Sequence, residues 1–188
     1  MKRVFYGLLT VFIFCTCTSK KKPLKDTSEY FPVKSYLQSL SKSLDTAGYS
    51  FTKIVTVNGR SDTTPSSLEE AKKYINEFVN IPDIKDPENG SKYDEVKNFD
   101  SLIGRAYISY VAEEDEVEVR RQEITVIPTL SGSDQVKTVY LEKLKAEEND
   151  TEEKKMLWEF GHFFSITTIT QKANREEIHK LKIIFNKN

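Results

Sequence analysis

Apolar positions fall along this chain in three successive patterns. The first is a run free of charge, residues 4–16, which follows Lys2 and Arg3 and ends on Cys17. The second is helical. Val33, Tyr36, Leu37, Leu40 and Leu44 recur at helical spacing behind Pro32, and Gly48 supplies a stop. Leu68, Ala71, Ile75, Phe78 and Val79 repeat the pattern behind Thr64 and Pro65, read as cap and first helical residue, and end before Pro82. Tyr93, Val96, Phe99 and Ile103 give a third, shorter helix. Between the first two helices lies a strand over 49–57, the hairpin signal Asn58-Gly59 and a brief return strand over 60–63. The stretch 83–91, with Pro87 and Asn89-Gly90, reads as a loop. From residue 106 the third pattern takes over. Apolar and polar positions alternate, which predicts strands over 106–111, 117–127, 135–144, 156–170 and 178–185, joined by short polar turns.

Short connections favour antiparallel neighbours. The expected fold class is therefore α+β: two or three N-terminal helices packed on one face of a meandering antiparallel sheet of about five to six strands. Such a sheet is expected to curl into a cone or half-barrel, the shape of cystatin-like, nuclear-transport-factor-like and lipoprotein-carrier folds; this is an analogy that fixes no function. In the 156–170 strand, Met156, Trp158, Phe160, His162, Phe164 and Ile166 share a face. Of these, Trp158, Phe160, His162 and Phe164 are the candidate lining of an apolar cavity. The alternative is that this face packs against Leu37, Leu40, Ile75 and Phe78.

The leader changes the picture from a fold to a location. A basic start and a short apolar core are the parts of an export signal, and the core is too short for a spanning helix. The small-residue pattern of an ordinary cleavage site is missing; the run ends on cysteine instead. Phe14-Cys15-Thr16-Cys17 resembles the lipobox of bacterial lipoproteins, whose peptidase cuts before a cysteine that carries lipid. Phe14 and Cys15 depart from the Leu and small residue of that pattern. Cys17 is the expected lipidation site and Cys15 the alternative. An ordinary secretory leader or a buried N-terminal strand is the competing reading. The expected organisation is a cleaved leader over 1–16, a lipidated tether over 17–28 and one globular domain over 29–188. Several acyl chains anchor a protein stably where one does not. Lys20, Lys21 and Lys22 either add attraction to anionic headgroups or begin a solvated tether.

Composition narrows the chemistry. Of 188 residues, 38% are hydrophobic and 30% charged, with a formal net charge of −1, so nothing suggests a nucleic-acid footprint. Both cysteines lie in the leader, so cleavage before Cys17 leaves no disulfide and no thiolate nucleophile in the domain. There are two histidines, His162 and His179, with no paired spacing for zinc, and no metal or cofactor is expected. In a strand, Glu159 and His162 fall on opposite faces and cannot chelate one ion. There is no nucleophile elbow and no glycine-rich phosphate loop. The acidic turns at 113–116 and 147–153 lack the ligand spacing of a calcium loop.

Two resemblances remain. The lipobox, Tyr30-Phe31-Pro32-Val33-Lys34, the 57–63 segment and the closing 158–186 stretch look like small uncharacterised lipoproteins of Bacteroidota, which implies an envelope lipoprotein and no activity. Asp45-Thr46-Ala47, Asp62-Thr63-Thr64 and Asp100-Ser101-Leu102 resemble the O-glycosylation acceptor of the same group, which implies Thr63, Thr46 and Ser101 as sites. The functional expectation is a lipid-anchored, non-catalytic binding or support module of the cell envelope, most simply at the outer membrane. Its partner would be an envelope protein. The runner-up is a carrier of an apolar ligand in the curled sheet, and a hydrolytic enzyme comes third.

Overall fold

The computed structural model describes residues 24–129, 134–146, 150–172 and 175–187. Nine strands form one antiparallel sheet: β1 (Tyr49–Val57), β2 (Arg60–Ser66), β3 (Tyr93–Asp100), β4 (Arg105–Ala112), β5 (Val119–Ile127), β6 (Gln135–Ala146), β7 (Asp150–Glu159), β8 (Phe163–Lys172) and β9 (Arg175–Lys187). Their order is β2-β1-β9-β8-β7-β6-β5-β4-β3. The last seven strands are thus a plain meander, and the β1–β2 hairpin extends it beyond β9. Among the described residues, three short helices accompany the sheet: α1 (Val33–Ser43), α2 (Leu68–Val79) and the single turn α3 (Pro87–Gly90).

This overturns the expected fold class. The sheet has nine strands rather than five or six, and it is open and uncurled, with β2 and β3 as its two edges. Three local choices account for the difference. Residues 93–103 form β3 and a turn, not a helix. The sequence there holds Asp94, Asn98 and Asp100, weak helix formers, while the β-rich strand β4 requires a partner. The 156–170 strand is two strands, because Phe160-Gly161-His162 is a turn with Gly161 at φ 71°. Alternation ran through that turn because pairing preserves it: Trp158 faces Phe164 and Met156 faces Ile166 across the hairpin. The return strand β2 continues to Ser66, so Pro65 sits opposite Thr52 in the edge strand. Ser67, not Thr64, then caps α2 by accepting a hydrogen bond from the Glu70 N–H at 3.1 Å.

Other expectations hold closely. Strand β1 ends at the Asn58-Gly59 turn, whose φ angles of 48° and 83° suit a tight hairpin. The buried stripes of α1 (Val33, Leu37, Leu40) and α2 (Ala71, Ile75, Phe78) are the expected ones.

The core lies between these helices and one face of the sheet. Phe51, Phe185, Ile183, Phe164, Trp158, Met156, Leu141 and Ile124 line that face across β1 to β5. Chain order explains the cover. The chain leaves the sheet at edge β2 and re-enters at edge β3, so α2 and residues 80–92 cross the face as a strap. The segment before α1 is tied to the β3–β4 end. There the Phe31 N–H donates to Tyr110 Oη at 2.7 Å, and the Tyr30 and Tyr110 rings meet at 4.8 Å, tilted by 44°. The fixed part of the chain starts ahead of Glu29, since Thr27 is buried and its hydroxyl donates to the Lys85 carbonyl at 2.8 Å.

The opposite face has no described helix against it. It carries rows such as Lys182, Ser165, Leu157, Tyr140 and Glu123, then Lys180, Thr167, Lys155, Glu142 and Arg121. These side chains satisfy one another. Lys182 lies 3.9 Å from the centre of the Phe163 ring, Ser109 donates to Glu123 at 2.6 Å, and Lys155 pairs with Glu153 at 2.9 Å.

Candidate functional site

The aromatic residues singled out from sequence part company. Trp158 and Phe164 are buried in the core, where Trp158 meets Phe78 at 5.5 Å and Phe164 at 5.9 Å. Phe160 and His162 lie exposed in the β7–β8 turn. The sheet does not curl, and among the described residues Leu37, Leu40, Ile75 and Phe78 belong to the same buried cluster as Trp158 and Phe164. A pocket of about 220 Å³ remains at the rim, between Leu40, Leu44, Tyr49, Trp158, Phe160 and Phe185. That is below the range typical of small-molecule sites. His179 is exposed on β9, opposite Thr168, and far in the ladder from the His162 turn. Among the described residues, no group of three histidines or carboxylates is placed to hold a metal ion.

Thr63, Thr46 and Ser101 are all exposed. Thr46 and Ser101 occupy turns, after α1 and between β3 and β4, whereas Thr63 lies in edge strand β2 opposite Ile54 instead of in a connection. Cys17 and Cys15 lie outside the described residues, as do parts of the 147–153 acidic turn.

The most developed polar site was not found from sequence. It sits where α2 ends over β6. Lys143 continues the inward alternation of Val139 and Leu141, so the fold carries its ammonium group beneath the helix. The amine donates to the carbonyls of Glu77 at 2.7 Å and Asn80 at 3.1 Å, which otherwise lack helical partners. A cation at a helix C-terminus also meets the negative end of its dipole. Directly across the ladder stands Lys154, which pairs with Glu77 at 2.7 Å. Burial lowers the Lys143 pKa, opposed by Glu118 and Glu77. For Lys154 burial works the same way, yet the Glu77 hydrogen bond prevails and the pKa is raised. A cleft of about 510 Å³ opens beside Lys143, lined by Asn80, Asn89, Lys92, Glu114, Glu116 and Glu118. The signal available in the sequence was a lysine at a position where the alternation demands an apolar residue.

Lys143 first of all holds the helix to the sheet. Lys143→Met is expected to lower stability by about 1–3 kcal/mol, because two carbonyls at the end of α2 lose a charged donor. Urea unfolding at pH 7 checks this, with Lys180→Met on the open face as a control that should stay within about 0.5 kcal/mol of the parent.

No helix among the described residues is long and apolar enough to cross a membrane. No family model matches the chain, and neither a curated protein nor a solved structure matches it.

Proposed function

We propose that the chain is an exported lipoprotein, lipidated at Cys17 with Cys15 as the alternative, and that its domain is a non-catalytic binding or support module of the cell envelope, at the outer membrane. The observation that carries the reading is the leader: a basic start and an apolar run that ends on cysteine, with no small-residue cleavage pattern. The place where the described chain meets the sheet bears on how near such an anchor would hold the domain. Lys25 is already fixed to the sheet by the Tyr93 carbonyl at 2.9 Å, by Asp94 at 2.8 Å and by Glu113. Seven residues, 18–24, separate Cys17 from Lys25 in the chain, a stretch that spans at most about 25 Å. A lipid on Cys17 would hold the start of β3 close to the membrane. The open face of the sheet is then a surface the domain offers to an envelope partner.

The test is intact mass and detergent partitioning of the protein from its native host, beside Cys17→Ala. The expected result is a detergent-phase form beginning at Cys17 with added acyl mass, and loss of both in the variant. A soluble, unacylated product from the parent chain would remove the anchor and leave a freely secreted domain.

A further inference from the structure

The two edges of the sheet are unlike. Strand β2 is guarded, since Pro65 offers no N–H and Arg60, Ser61, Asp62 and Thr63 are polar and exposed. Strand β3 is not. Val96 and Phe99 are 54% and 58% exposed, and its only described strand partner is β4.

The direction of its free hydrogen-bonding groups is fixed. Within the ladder the Glu113 N–H donates to the Lys92 carbonyl, so even-numbered β3 residues bond to β4. The odd-numbered ones, Tyr93, Glu95, Lys97 and Phe99, aim their backbone outward. The Tyr93 carbonyl agrees, as Lys25 and Tyr30 both donate to it from outside the ladder. Any strand added here must therefore meet the backbone of Glu95, Lys97 and Phe99.

We propose that this edge pairs with β3 of a second copy of the chain, antiparallel about a two-fold axis at Val96. Outward groups must face outward groups, so odd positions pair with odd ones. Among such two-fold registers, one step either way sets Glu95 against Glu95 or Lys97 against Lys97. The register centred on Val96 sets Glu95 against Lys97 twice and Lys92 against Asp100 twice. It also places exposed Val96 against Val96. The surface is thus self-complementary in charge and in apolar contact, as an isologous interface requires. Pairing joins the two nine-stranded sheets edge to edge. This inference is independent of lipid anchoring.

The test is sedimentation equilibrium of the full chain in density-matched detergent. The parent chain is expected at twice the chain mass. Lys97→Glu sets Glu against Glu and should weaken association more than tenfold; Glu95→Lys should do the same with Lys against Lys. Mixing the two variants restores opposite charges at both contacts and should restore the dimer. Glu95 also accepts a hydrogen bond from Tyr110 at 3.1 Å, so a cysteine pair provides a second readout that leaves it in place. Val96→Cys should give an oxidised dimer where Lys97→Cys, whose counterpart is two residues away, does not. A monomeric parent chain would overturn the proposal. So would a dimer indifferent to Lys97→Glu, or equal cross-linking at both positions.

Discussion

Trp158→Ala is expected to lower stability by about 3–5 kcal/mol, the range for emptying a large aromatic site in a packed core. Trp158 is buried at the meeting point of four elements. Its ring lies 5.5 Å from Phe78 of α2, 5.9 Å from Phe164 of β8 and 6.5 Å from Phe185 of β9, with near-perpendicular contacts to Phe78 and Phe185. Phe78 in turn touches Phe164 at 5.7 Å, so the site cannot collapse without moving the helix that straps the sheet. The indole N–H has no hydrogen-bond partner among the described protein atoms, so the loss is one of packing. Trp158→Phe should accordingly recover most of the stability, and Phe160→Ala, two residues on but exposed, should cost less than about 0.5 kcal/mol. Urea unfolding followed by circular dichroism is the measurement, because Trp158 is the sole tryptophan and its variants lose the fluorescence signal. A Trp158→Ala protein within about 1 kcal/mol of the parent would refute the packing account.

The same residue shows how far sequence reading reached. Alternation puts Trp158 and Phe164 on one face with Met156 and Ile166, and the fold keeps them on one face. The alternation carried that information whether the segment was one strand or two. What it lacked was the turn: Gly161 was the only local signal, and Phe160 and His162 continued the period on either side of it. In β3 the opposite happened. Tyr93, Val96 and Phe99 are spaced as on a helix, but only Tyr93 is buried, through a hydrogen bond from its hydroxyl to the Val119 carbonyl at 2.8 Å. The apparent helical stripe is a strand with two apolar residues left outside, which local pattern cannot reveal, since it depends on β4 lying alongside. Curling was likewise a question of closure, and an open sheet and a half-barrel share the same alternation. Lys143 was legible in principle, as a charge at an inward position, but its meaning required the end of α2 above it.

A second large effect is expected at high pH, and its sign follows from two tyrosines. Tyr93 and Tyr110 are fully buried. Burial pushes the Tyr93 hydroxyl up to about 12, and it raises Tyr110 further, with the neighbouring Glu95 carboxylate adding to the shift. In the unfolded chain both ionise near 10. Between these values the folded protein holds protons that the unfolded chain has released, so stability falls as pH rises. At pH 11 each tyrosine accounts for about 1.4 kcal/mol, so together they remove about 3 kcal/mol relative to pH 9. Lys143 acts in the opposite direction, since burial lowers its pKa, while Lys25 and Lys154, held by carboxylates, add to the loss at higher pH. Tyr93→Phe and Tyr110→Phe separate these contributions. Each has a cost at neutral pH: Tyr110→Phe leaves the Phe31 N–H without its acceptor, and Tyr93→Phe leaves the Val119 carbonyl without its donor. That cost is present at every pH and cancels in the slope. Urea unfolding at pH 8, 9, 10 and 11 should therefore show a steep alkaline decline in the parent, flattened by about 1.4 kcal/mol at pH 11 in each variant. A parent whose stability is level between pH 9 and 11, or variants that decline as steeply as the parent, would mean that these hydroxyls are reached by water and that the β3–β4 corner is looser than its packing indicates.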